Sequence, residues 1–69
     1  MPLTMLEAGA RRSIKKIGGK EETKRFLESL GFTPGGSVMI VADVGGDVIV
    51  SVRESRVALS RELAGKIMV

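Results

Sequence analysis

The stretch Lys20–Gly36, KEETKRFLESLGFTPGG, spells out a helix, its end and the turn that leaves it. Thr23, Phe26, Leu27 and Leu30 recur at helical spacing, so Lys20 to Leu30 is expected to form a helix that buries this stripe. Gly18 and Gly19 open it. Glu21 with Arg25 and Lys24 with Glu28 stand four apart and decorate the outer side. Gly31 occupies the position where a helix turns left-handed, and Phe32 can then fold back onto Leu27 in a Schellman ending. Thr33-Pro34-Gly35-Gly36 completes the signal as a type II turn. Pro34 presets φ near −65° and Gly35 supplies the positive φ.

On the C-terminal side two strands are expected. Ser37–Asp43 places Val38, Ile40 and Ala42 on one face and Met39 and Val41 on the other. Asp47–Val52 opposes Val48, Val50 and Val52 to Ile49 and Ser51. Gly45 and Gly46 between them suit a two-residue type I′ hairpin, which needs positive φ at both positions. Glu54 and Ser55 turn into a short strand, Arg56–Leu59; Ser60 caps a helical turn, Arg61–Ala64, ended by Gly65; Ile67 and Val69 form a last strand. On the N-terminal side, Thr4 and Glu7 have capping-box spacing, with Leu3 and Ala8 placed as a staple. Gly9 closes that turn. Residues 11–17, RRSIKKI, have only Ile14 and Ile17 as apolar positions, which reads as one edge strand with a bulge. Its cations discourage edge-to-edge pairing. The whole order describes one α+β domain over residues 1–69, mainly β, built on a small barrel.

Composition narrows the chemistry. At 69 residues the surface scaling law gives roughly 4,200 Å² of folded surface, too small a body for a deep substrate cavity. The chain has no Cys and no His, which removes the thiolate and the imidazole from metal ligation and neutral-pH acid–base work. Ser13, Ser37, Ser51 and Ser60 therefore lack an activating base, and no enzyme is expected. Neither a signal peptide nor an apolar run of membrane-spanning length is present, so a cytoplasmic protein without direct membrane insertion is the expectation. Asp43 and Asp47 flank the hairpin and could meet at a hard cation, although such residues are more often solvated turn positions. Gly18-Gly19-Lys20 before a helix could hold an anion; the pattern matches no phosphate-binding motif and reads more simply as a turn.

The net charge of +3 lies entirely in the first half. Residues 1–35 hold Arg11, Arg12, Lys15, Lys16, Lys20, Lys24 and Arg25 against four acids, and residues 36–69 are balanced. The residues Leu3, Leu6 and Gly9, then Leu27, Leu30, Gly31, Pro34 and Gly35, then Leu59, Ala64 and Ile67, form an ordered set that resembles the FeoA family of ferrous-iron transport proteins. The same module ends metal-dependent repressors of the DtxR type. The resemblance implies an SH3-like β-barrel with an inserted α-helix and short helical turns near both ends. It further implies a cytoplasmic accessory of ferrous-iron uptake whose partner is the membrane transporter of the FeoB type, which carries a GTP-binding domain. Leu30, Gly31, Pro34 and Gly35 enter this set as a structural motif. No cofactor is implied, and with no Cys or His the residues offer no specific iron site.

Charge alone nominates the partner-contact residues: Arg11, Arg12, Lys15, Lys16, Lys24 and Arg25. The alternative function is a small basic β-barrel that binds nucleic acid. Against it stand the modest charge, the acids Glu21, Glu22 and Glu28 among the cations, and the lack of stacking aromatics. Groove recognition of proline-rich peptides fails for the same lack of aromatics. A weak homo-oligomer is compatible with an exposed edge strand.

Overall fold

In the computed structural model, which describes residues 1–69, α1 spans Glu21–Ser29, with Lys20 and Leu30 as its capping residues. Its exit follows the sequence closely. Gly31 has φ +106°, the Gly31 N–H donates to the Glu28 carbonyl (2.9 Å), and the Phe32 N–H donates to the Leu27 carbonyl (3.0 Å). These are the two crossed bonds of a Schellman ending. They swing Phe32 into the core, where it and Leu27 are fully buried. The Gly36 N–H then reaches the Thr33 carbonyl (2.9 Å) with Gly35 at φ +87°, as a type II turn requires.

The turn delivers the chain into β3, Ser37–Val44, which pairs with β4, Asp47–Val52, and through it with β5, Ser55–Ser60. With β1, Arg11–Ser13, they form an antiparallel sheet of order β1-β3-β4-β5. A second, two-stranded sheet joins β2, Lys16–Ile17, to β6, Ile67–Met68. Helix α2, Arg61–Ala64, leads into β6 and starts at Ser60, whose Oγ accepts the Leu63 N–H at 3.2 Å. Ser60→Ala is therefore expected to cost about 1 kcal/mol, read as a lower urea midpoint. A cluster of 14 buried apolar residues draws on both sheets, both helices and the N-terminal turn. The accessible surface, 4288 Å², meets the value expected from chain length.

Several expectations are corrected by packing. The N-terminal turn is a 3₁₀ turn, Leu3–Met5, with no side-chain cap, and Ala8 is exposed. Leu3 is fully buried and Pro2 bridges to Met68, so the core fixes the turn's start ahead of the Thr4–Glu7 pattern. Residues 11–17 are two strands in different sheets. Between them the Ile14 N–H bonds the Gly36 carbonyl and the Lys15 N–H bonds the Met68 carbonyl, so the chain turns a corner rather than bulging within one strand. Both Ile14 and Ile17 are buried, the first at that corner and the second on β2.

Phe26 is 49% exposed instead of buried. Helix α1 touches the core along the narrow row Thr23, Leu27 and Leu30, and Phe26 stands about 100° around the helix from Leu27. Of the two expected pairs on its outer side only Arg25–Glu21 forms, at 3.7 Å. Along β3 the register slips between Ile40 and Ala42, so Val41 is the extra residue. Ala42 consequently sits opposite Ile49 on the outer face, not beside Ile40. Met39 and Val41 are half-buried.

The hairpin geometries are also redistributed. Gly45 has φ +62° but Gly46 is not left-handed, so the glycine pair does not make a type I′ turn. That geometry appears instead between β4 and β5, where Arg53 and Glu54 have φ 48° and 65°. Non-glycine residues carry a strain of about 1–2 kcal/mol there. Arg53 is held by its side chain (below), whereas Glu54 makes no side-chain bond. Glu54→Gly is expected to stabilise the fold by about 1 kcal/mol, seen as a rise in thermal midpoint.

Candidate functional site: a basic depression beside the paired chain ends

Strand β1 splays its residues to opposite sides of the sheet. Arg11 lies on the outer face, opposite Met39, and its guanidinium donates to Ser37 Oγ at 3.3 Å. Arg12 turns the other way, toward the first and last residues. There Met1 and Val69 pair as a ladder: the Met1 ammonium donates to the Val69 carbonyl (2.9 Å), and the Val69 N–H donates to the Met1 carbonyl (2.8 Å). The one depression on the surface, ≈ 570 Å³ in volume, is lined by Met1, Arg12, Ser13, Lys15 and Val69. Two cationic side chains thus flank an open bowl that has no acidic side chain in its lining.

Of the six nominated cations, the structure brings Arg12 and Lys15 together here. Lys16 follows on β2 opposite Met68. Arg11 belongs to the other face of β1. Lys24 and Arg25 lie on α1, with Arg25 held by Glu21. The motif residues Leu30, Gly31, Pro34 and Gly35 occupy the helix exit and type II turn, and act there as shape. Nothing in the sequence pattern announced the bowl, because it depends on the first and last residues meeting at β1.

The other candidates are engaged elsewhere. Asp43 is ion-paired with Arg61 on α2, which takes one half of the Asp43–Asp47 pair. No three acidic side chains gather as metal ligands would. At Gly18 the N–H is spent on the Lys66 carbonyl (2.6 Å), and Glu21 and Glu22 already fill the first turn of α1, so no anion cradle forms. A residue that sequence reasoning passed over is Arg53. Its Nε donates to the Gly31 carbonyl (3.3 Å) and its Nη2 to Thr33 Oγ1 (3.2 Å), which ties the β4–β5 hairpin to the exit of α1. No helix is long and apolar enough to cross a membrane.

Two curled antiparallel sheets around one apolar core, with a helix inserted between β2 and β3, define a small SH3-like barrel. The chain belongs to the FeoA family, whose domain model matches residues 1–69. A Methanocaldococcus jannaschii protein named for Fe(2+) transport, transport protein A, is 34% identical over 68 residues, covering 99% of this chain and 83% of that one. The zinc-complexed FeoA of Stenotrophomonas maltophilia, described as a prokaryotic SH3 domain protein, superposes with a TM-score of 0.86 at 26% identity, over 99% of this chain and 87% of that one. A manganese-dependent transcriptional repressor shares the fold at TM-score 0.87 and 18% identity, over 97% of this chain but 39% of that one. The module is thus common to FeoA proteins and to such repressors.

Proposed function

We propose that this chain is a non-enzymatic accessory of ferrous-iron uptake that docks on the cytosolic, GTP-binding part of a FeoB-type membrane transporter and biases one of its conformations. The observation that carries the reading is the basic bowl at Arg12 and Lys15 in a chain that matches the FeoA family throughout. An open, cation-flanked surface suits an acidic face of a protein partner. Modulation requires that the chain bind one state of the transporter more tightly than another. Lys16 and Arg11 extend the contact along β1 and β2, and Lys24 and Arg25 form its outlying part.

The test is an NMR titration of labelled protein with the transporter's GTP-binding domain, with and without a GTP analogue. Shifts are expected at residues 11–16. Arg12→Glu with Lys15→Glu is expected to weaken binding about tenfold or more while leaving the fold intact, because like charges then face the acidic partner. Unchanged affinity in that double variant would overturn the basic-bowl reading. Short duplex DNA is the parallel arm: shifts across the cations that fade as salt rises would favour the nucleic-acid alternative.

A further inference from the structure

The four-stranded sheet has two edges, β1 and β5, and they are defended differently. At one edge, β1 is three residues long and two of them are Arg. At the other, β5 has six residues, an unbroken register with β4, no Pro and a single charge, Arg56. Short length, charge and bulges are the usual protections of an edge, and β5 has little of them.

The hydrogen-bond phase of β5 is fixed at both ends. Its two-residue loop makes Val52 and Ser55 a bonded pair, and the Arg61 N–H donates to the Gly46 carbonyl (3.1 Å), in phase with that pair. Ser55, Val57 and Leu59 therefore bond to β4, while Arg56 and Ala58 turn both N–H and C=O outward; Ser60 turns its N–H outward, but its C=O, at the N-cap of α2, takes the first helical bond. No turn or loop bond of the backbone involves residues 53–59. The edge is open and in phase from Arg56 to the Ser60 N–H.

We infer that this edge pairs with β5 of a second copy of the chain, antiparallel about a two-fold axis at Ala58. In that register Ala58 faces its own copy in a doubly bonded pair, and the Ser60 N–H meets the Arg56 carbonyl of the other copy, with no like charges directly opposite. Shifting the centre by one residue, to Val57, leaves Ser60 unpaired. Side chains agree with the backbone. Ala42, Ile49 and Ala58 form a small apolar row across the outer face of the sheet. Pairing at Ala58 continues that row into the second copy, with the smallest residue at the crowded centre. Glu62, just past Ser60, comes near the other copy's Arg56. The dimer leaves β1 and the basic bowl at its two far edges, free for the proposed partner.

Sedimentation equilibrium from micromolar to millimolar protein is expected to show a reversible dimer. The amides of Arg56, Ala58 and Ser60 should shift with concentration. Ala58→Lys puts two ammonium groups face to face on an exposed surface, and is expected to weaken the dimer up to about fivefold. Ala58→Cys places the two Cα atoms about 5.5 Å apart, within disulfide reach, in a chain that has no other Cys. That variant should oxidise to a covalent dimer much faster than Glu22→Cys on α1. A monomer at every concentration, a dimer indifferent to Ala58→Lys, or equal cross-linking at positions 58 and 22 would each overturn the inference.

Discussion

Phe32→Ala is expected to cost about 3–5 kcal/mol, while Phe26→Ala, six residues earlier, changes stability by no more than about 0.5 kcal/mol. The chain contains only these two aromatics, and the fold uses them oppositely. Phe32 is the largest fully buried side chain; Phe26 is 49% exposed on α1. At roughly 0.05–0.15 kcal/mol per residue, a protein of this length holds about 3–10 kcal/mol in total. The Phe32 variant therefore loses at least about a third of the stability of the whole fold. Urea unfolding followed by circular dichroism separates the two variants directly. A larger loss at position 26 than at position 32 would contradict the placement of α1.

That contrast also marks what the sequence could reveal. Residues 27–36 were legible almost bond by bond, because each step there is local: a helix end, a left-handed glycine and a proline turn, each with its own residue signature. The bounds of β4, Asp47–Val52, and the capping role of Ser60 were equally local. The misreadings share a non-local cause. Phe26 has helical spacing, but whether it is buried depends on how wide a contact α1 makes with the barrel. The Val41 bulge depends on how β3 meets β4, and nothing in alternating apolar residues reports it. Residues 11–17 divide because Gly36 and Met68, distant in sequence, pull Ile14 and Lys15 in different directions. The candidate site shows the same limit. Charge nominated six cations, which the fold distributes over β1, the corner at Lys15, β2 and α1, yet the grouping of Arg12 with Lys15 required knowing where Met1 and Val69 come together.

Gly31→Val is the second large effect, expected to cost about 2–4 kcal/mol through two separable causes. The first is backbone. Gly31 holds φ +106°, a conformation that a β-branched side chain resists, and the Schellman bonds leave it no alternative. The second is contact. A Cβ at this position lies 3.1 Å from Arg53 Cδ, so the Arg53 chain must move and release its bonds to the Gly31 carbonyl and Thr33. Arg53→Ala alone removes those two exposed bonds and is expected to cost about 1 kcal/mol, with the strained φ of residue 53 left in place. In the double variant the contact has already gone, so the Gly31→Val cost should fall to its backbone part. A double-mutant cycle by urea unfolding measures the difference as a coupling energy of about 0.5–1.5 kcal/mol. Additive costs would mean that Arg53 does not clamp the helix exit. Coupling would show that the end of α1 and the strained β4–β5 turn are held as one piece, which explains why a turn that favours glycine keeps an arginine. The clamp fixes the start of β5, and with it the phase in which that edge presents its free N–H and C=O groups.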